Sequence, residues 1–412
     1  MRKMIGFVGL LVAAGFGFGY SQGFTVSGTQ LKDANGGVFI QKGFAIPLAW
    51  FVSDVNANIA NIKKNTNANC LRIVMQESTT DANWQSCVSQ CIANKIIPEV
   101  EIHDVTCGTD ANALNNVAKW WVTKASYLTQ ASIAKYILIN IANEWGDWAM
   151  AKNNPSAWSA AFKTAVATMR AGGINTTLII DAPDCGQDLN NGSTLKSYAM
   201  DVFNSDPKKN CLFTLHLYGE WCSGGSQPTV GLPAVKNAGI PIIVGEFAAQ
   251  SSAGTLNAAS VISTCETNKM GWMAWSWKGN GEVALDMSSD WAGTNLTSWG
   301  KTAGTGTYGT KTAVTCSVFT GIVDTKNTNA PISVVTNFMT LKTGVGGRVS
   351  IGLNGISGVA TVEVVDAKGK LICKQTTGNR SFADVDMRGK TGVYLVKAIT
   401  ERGEMSKTLL IQ

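Results

Sequence analysis

Histidine is nearly missing from this sequence: two occur among 412 residues. Charge is sparse as well, at 15% of residues, and the net charge of +6 is not gathered into any long run of lysine or arginine. Such a chain has no stripe to track a phosphate backbone, so nucleic acid is excluded as its natural partner. There is no phosphate loop, and no paired CxxC zinc framework. Cys87 and Cys91 stand one helical turn apart, and His103, Asp104 and Cys107 cluster, but neither group has zinc spacing. No metal and no cofactor is expected. The N-terminal apolar run, Met4 to Phe18, is shorter than the roughly 20 residues that a membrane span needs, and it is weakened by glycine. The mature chain is therefore expected to have no membrane span.

What is present is a large apolar fraction, 45%, enough for a sizeable core, and 13 tryptophans. Tryptophan fills cores and also stacks on flat apolar ligand faces, which hints at carbohydrate. Met1-Arg2-Lys3, the apolar run and the small residues around Gly19 and Ser21 form the pattern of a signal peptide over residues 1–21. Ten cysteines suit a chain exported to an oxidising space, secreted or held at the cell surface. Which of them pair is left open by the sequence.

Eight short apolar or β-branched runs recur with helical stretches between them: Val38–Ile46, Asn69–Met75, Ile96–Ile102, Tyr136–Ala142, Thr177–Ala182, Cys211–Leu217, Ile240–Glu246 and Gly271–Trp277. Several are apolar throughout, as expected for strands covered on both faces. Residues 110–126 and 156–172 have helical periodicity, the second stopping at Gly172-Gly173. Eight strand–helix units in about 260 residues match the rhythm of a (β/α)8 TIM barrel. After Trp299 the Gly/Thr/Lys-rich stretch GKTAGTGTYGTKT reads as surface loop, and VDTKNTNAP as linker. The division predicted is a catalytic barrel over 22–320, a linker over 321–337 and a small antiparallel β-sandwich over 338–412, with hairpin turns at Ala367-Lys368-Gly369 and Arg402-Gly403.

In such a barrel the active groups sit at the C-terminal ends of the strands. Those ends carry Arg72, His103-Asp104, Asn143-Glu144, His216 with Tyr218, Glu246, and Trp275 with Trp277, and both histidines of the chain are among them. Two carboxylates rimmed by neutral polar and aromatic groups suit cleavage of a glycosidic bond. A retaining mechanism needs one carboxyl protonated and one ionised, about 5 Å apart, and barrel closure can bring strands four and seven to facing sides of one cleft. A cationic Arg72 and a Tyr218 hydroxyl near Glu246 would keep it ionised, and a less polar setting would raise the pKa of Glu144. Trp145, Trp148 and Trp221 lie in or beside cleft loops, where platform and packing roles are both open.

The runs INIANEWG and IIVGEF, with Arg72, His103, His216, Tyr218 and Trp275 in order, resemble glycoside hydrolase family 5 over residues 24–300. The resemblance implies a hydrolase with Glu144 as acid/base and Glu246 as nucleophile. It also implies that Asn143 holds the sugar 2-hydroxyl, that Arg72 and Tyr218 orient the nucleophile, and that His103 and His216 line the cleaved sugar's subsite. Trp275 is then the platform, with Trp277 as the other candidate. The segments EVEIHDVTCG, IIDAPDCGQD and GWMAWSWKGNG resemble the bacterial endo-β-1,4-mannanase branch. GFAIPLAWF departs from it, with Ala45, Ile46 and Leu48 where that branch carries Asn and His. The implied partner is a polysaccharide, β-mannan first and cellulose as the alternative. A non-catalytic glycan-binding protein would be expected to have lost a glutamate, and for a purely structural cell-surface protein the converging polar groups would be incidental. The ending GKTGVYLVKAITERGEMSKTLLIQ resembles a type IX secretion sorting domain, matched at Gly392, Tyr394, Val396, Gly403 and Lys407, which implies the secretion machinery as a second partner. No tryptophan follows residue 321, so a carbohydrate-binding module is poorly supplied with stacking surface.

Overall fold

The computed structural model describes residues 23–223, 225–320, 338–343, 348–354, 360–366, 370–377, 382–400 and 403–411. The chain forms two compact units, Met1–Thr325 and Lys326–Gln412. The readings of 1–21 as signal peptide, 321–337 as linker and 367–369 as a hairpin turn fall outside the described residues.

In the first unit eight parallel strands close into a barrel: β1 (Lys42–Ile46), β2 (Cys70–Met75), β3 (Ile97–Ile102), β4 (Leu138–Asn140), β5 (Leu178–Asp181), β6 (Cys211–Leu217), β7 (Ile242–Phe247) and β8 (Trp272–Ala274). Trp272 pairs with Lys42 on one side and with Val244 on the other, which joins the last strand to the first. Each strand lies in one of the eight predicted runs, β7 extending one residue beyond its run. The main helices that follow are α1 (Val52–Thr66), α2 (Asp81–Ala93), α3 (Ala111–Thr123), α4 (Pro155–Ala171), α5 (Ser193–Ser205), α6 (Pro228–Asn237), α7 (Ala258–Thr267) and α8 (Ser298–Thr305). In α3 the buried residues Leu114, Val117, Ala118 and Trp121 recur at the spacing of one helical stripe, and the Asp110 side chain accepts from Asn112 N at the start.

One expectation is corrected here. The stretch after Trp299 is not simply surface loop, because Ser298–Thr305 is a helix with Trp299, Gly300, Ala303 and Gly304 buried. Its glycines disguise it, yet one of them is what lets it dock: a Cβ on Gly300 would stand 1.8 Å from Met287 O.

The barrel interior is layered by the alternation of each strand. At its N-terminal end Cys70, Ile97, Leu138, Ile179, Leu212, Ile243 and Met273 form one apolar cluster. A hairpin of Thr25–Ser27 and Gln30–Lys32 contributes Leu31 to it, with Phe24 and Phe39 alongside. Two residues further along five of these strands stand Arg72, Glu99, Asn140, Asp181 and Thr214, all buried. The core thus turns from apolar to polar in one step toward the C-terminal ends, where a site belongs.

The second unit holds two antiparallel sheets. With β9 (Phe338–Thr343), β10 (Arg348–Asn354), β11 (Ala360–Asp366), β12 (Leu371–Thr376), β13 (Phe382–Asp386), β14 (Gly392–Thr400) and β15 (Gly403–Ile411), the orders are β9-β10-β13 and β12-β11-β14-β15. Every second residue of β10, β11, β13 and β14 enters a shared core: Val349, Ile351, Leu353, then Ala360, Val362, Val364, then Ala383, Val385, then Tyr394, Val396, Ala398. Tyr394 and Val396 of the sorting-domain resemblance are therefore core residues.

Candidate active site

The site is built around Arg72, which is 1% exposed and lies among four carboxylates. Its guanidinium is 2.6 Å from Glu246 and 3.7–3.8 Å from Glu99, Glu101 and Asp181. It also donates to Asn143 Oδ1 at 2.7 Å. A charge this deep is retained only because it is paired on several sides. Its partner in register on β1 is the small residue Ala45.

Glu246 faces this guanidinium because β7 is irregular. Leu215 pairs with Val244 and His216 with Glu246, so Gly245 is an extra residue in the ladder. With strict alternation Glu246 would share a face with Ile242 and Val244, which pack into the core that contains the helices. The bulge turns it into the cleft instead, and Gly245 permits this since a Cβ there would meet His216 Nε2 at 2.8 Å. Arg72 Nη1 donates to one Glu246 oxygen at 2.6 Å and the Tyr218 hydroxyl to the other at 2.9 Å. Burial, with the Glu246 charge beside it, pushes the Tyr218 hydroxyl far above its ordinary range, so it stays a donor.

Glu144 follows Asn143 just beyond β4 and is hydrogen-bonded differently. Its carboxyl group is hydrogen-bonded with His216 Nδ1 at 2.7 Å and has no arginine partner among the described residues. Burial raises its pKa above the ordinary glutamate value; the His216 hydrogen bond opposes this and the Glu246 charge reinforces it. Burial by itself would lower the pKa of His216, but Glu246, Asp181 and Glu144 lift it to about 9. One donor atom each from Glu144, His216 and Glu246 lies within 4.8 Å of the others. The same three groups could surround a cation, but both Glu246 oxygens are already engaged by Arg72 and Tyr218.

The remaining predicted residues join the same cleft. His103 Nδ1 is 3.1 Å from Glu101, and its ring stacks on Trp275 with centroids 5.9 Å apart. Asn143 Nδ2 donates to Thr106 Oγ1 at 2.9 Å. Of the two platform candidates, Trp277 is fully buried against Phe44, whereas Trp275 is partly exposed. Trp145 and Trp221 are buried packing residues, and Trp148 stands half exposed with Lys152 Nζ 4.3 Å from its ring centroid.

Sequence reading missed several members of the site. Asp181 accepts from Asn140 Nδ2 and Thr214 Oγ1, both at 2.7 Å, and from the Glu144 backbone N–H at 3.0 Å. Glu99 is pushed up to about 7 by burial, although Arg72 pulls it down. Glu101 joins Arg72 to His103. The available signal was polar residues at alternate positions in otherwise apolar strands, as in IPEVEI and LIID. Trp50, 51% exposed and edge-on to His103 at 5.7 Å, was missed because it lies in the segment after β1 that departs from the resemblance. That departure is apolar in fact: Ile46 and Leu48 are wholly buried in the main core.

A family profile described as Cellulase (glycosyl hydrolase family 5) matches residues 32–281. A mannan endo-1,4-beta-mannosidase from Salipaludibacillus agaradhaerens is 33% identical over 68% of this chain and 89% of its own length. One from Streptomyces lividans is 33% identical over 73% of this chain and 78% of its own length. Among solved structures, the β-mannanase from Thermomonospora fusca superposes with a TM-score of 0.66 at 32% identity, covering 72% of this chain and 99% of that one. Profile, relatives and the closed barrel with its two facing glutamates agree, and the chain belongs to glycosyl hydrolase family 5.

Proposed function

We propose that the chain is a retaining endo-β-1,4-mannanase, hydrolysing internal bonds of mannan, galactomannan or glucomannan by double displacement. The observation that carries this reading is the approach of the Glu144 and Glu246 carboxylates, with oxygens within 4.8 Å. Carboxyl groups of retaining glycosidases stand about 5 Å apart, while inverting ones keep roughly 6.5–9.5 Å for a water. Glu246, held by Arg72 and Tyr218, is the nucleophile that bonds to the anomeric carbon. Glu144, with its raised pKa, gives its proton to the leaving oxygen and then takes one from the incoming water. His216, Asn143, His103 and Trp275 bind the sugar around the cleaved bond.

Mannan comes first because the relatives above, matched over 89% and 78% of their own length, are mannan endo-1,4-beta-mannosidases. Cellulose is the second reading; a Caldicellulosiruptor saccharolyticus protein named beta-mannanase/endoglucanase A is 31% identical over 51% of this chain but only 16% of its own length. Reducing-sugar release from mannan, galactomannan and carboxymethyl cellulose tests the choice. Release from the mannans alone is expected, and release from cellulose alone would overturn the substrate but leave the chemistry.

The acid role has a pH signature. Activity is lost as pH rises through the pKa of Glu144, so the alkaline limb of kcat/KM is expected above the ordinary glutamate range. The His216 hydrogen bond lowers that pKa. His216→Asn is therefore expected to move the limb to higher pH while kcat falls about tenfold. An unmoved limb would deny the coupling.

Export and cell-surface delivery complete the proposal, supported by the leader pattern at residues 1–21 and the sorting-domain resemblance of the second unit. Among the described residues no helix is long and apolar enough to cross a membrane. A mature protein that still begins at Met1 would count against export.

A further inference from the structure

Two cysteines take no part in the chemistry above, yet they bracket the residue read as its acid. Cys107 lies in the turn after β3, four residues beyond His103, and Cys185 in the turn after β5, four residues beyond Asp181. They form a disulfide with Cα atoms 4.7 Å apart, and the other eight cysteines are free thiols.

The segment Asn143–Gly146 passes between these two turns and is bonded to both. Cys107 N–H donates to Glu144 O at 2.9 Å, and Gly146 N–H to Gly108 O at 2.8 Å. From the other side Cys185 N–H donates to Gly146 O at 2.8 Å, and the Asp181 carboxylate accepts from Glu144 N–H at 3.0 Å. Glu144 has a φ of 50°, in the left-handed region, as do Cys107 and Cys185. A residue with a side chain keeps that conformation only where its surroundings impose it. Since β4 ends at Asn140, the Glu144 peptide is set by the turns on either side.

We propose that the Cys107–Cys185 disulfide is a positioning crosslink for the acid/base carboxyl, holding the two turns at the spacing that fixes the Glu144 backbone. The inference rests on reading Glu144 as acid/base. With the bond opened, each sulfur gaining a hydrogen as a dithiol reductant is oxidised to its own disulfide, the turns are free to separate. Glu144 then loses its alignment with the leaving oxygen. Glu246, placed on β7 by Arg72 and Tyr218, keeps its own. Asn143 keeps its place as well, because its Oδ1 accepts from Arg72 at 2.7 Å and its N–H donates to Ile102 O at 2.8 Å, so the defect falls on proton transfer.

The experiment compares wild type with Cys107→Ala/Cys185→Ala on two substrates, well below the melting temperature of either protein. Mannan needs the proton from Glu144. A 2,4-dinitrophenyl β-mannobioside with added azide does not, since its leaving group departs unprotonated and azide replaces the water that requires a base. On mannan kcat is expected to fall roughly tenfold with KM held within about twofold. Turnover of the aryl substrate with azide should stay within about twofold of wild type. An unchanged mannan kcat would reduce the disulfide to a stabilising link and overturn the proposal, as would equal losses on both substrates. Should the double variant fail to fold, wild type reduced with dithiothreitol and then reoxidised gives the same comparison. Glu144→Gln is assayed beside them: if it lacks the mannan-specific loss, the acid/base reading fails, and that outcome is distinct from failure of the crosslink.

Discussion

Glu246→Gln is expected to lower kcat on mannan by on the order of 10^4-fold or more, with the fold intact. The amide has nearly the shape of the carboxylate, but it cannot form the glycosyl ester on which the first step depends. Folding should survive because Arg72 retains Glu99, Glu101 and Asp181 within 3.7–3.8 Å. A thermal melt close to that of wild type checks this. Truncation to alanine gives a sharper result. Azide entering the space vacated by Glu246 would attack the face opposite the leaving group, so Glu246→Ala with azide and an activated aryl mannoside should release the α-mannosyl azide. A β-azide would mean that the nucleophile lies elsewhere.

Glu144→Gln is the second large effect, with an expected fall in kcat on mannan of roughly 10^2–10^4-fold. The loss should shrink as the leaving group improves, because a dinitrophenolate departs without a proton. The alkaline limb of the pH profile should vanish in the variant, since that limb reports the proton on Glu144. In Glu144→Ala, azide should intercept the covalent intermediate and give the β-mannosyl azide, the opposite anomer from the Glu246 variant. Equal loss on every substrate would indicate damage to the cleft as a whole and would deny the acid role.

Much of this was open to sequence reading because a barrel is locally encoded. Each strand is an apolar run bounded by polar turns, so type and order single out Asn143, Glu144, His216, Tyr218 and Glu246 as candidates at or just beyond strand ends, while Arg72, read as a strand end, stands inside β2. What stayed hidden depends on contacts between distant segments. The bulge at Gly245 reverses the face on which Glu246 would stand, and its pairing with His216 is visible only once β6 lies alongside β7. Asp181 reads as one polar residue within the apolar run Thr177–Ala182, although it holds Asn140, Thr214 and the Glu144 backbone together. The pairing of Cys107 with Cys185 joins residues 78 apart in sequence, and no spacing rule selects it from ten cysteines. Helix α8 was obscured by its own glycines, of which Gly300 serves a close approach to Met287, at the cost of a loop-like composition. In the second unit the alternation of Val349, Ile351 and Leu353 against Ala360, Val362 and Val364 was legible because antiparallel sheets carry their burial pattern in the chain itself.

The measurement that bears most directly on the two-carboxylate mechanism is the anomeric configuration of the first product released from mannohexaose, followed by proton NMR before mutarotation sets in. Double displacement through Glu246 inverts the anomeric carbon twice, so the β-anomer should appear first and the α-anomer only later. An α-anomer appearing first would mean single displacement by water, and would contradict the assignment of Glu246 as nucleophile despite its approach to within 4.8 Å of Glu144.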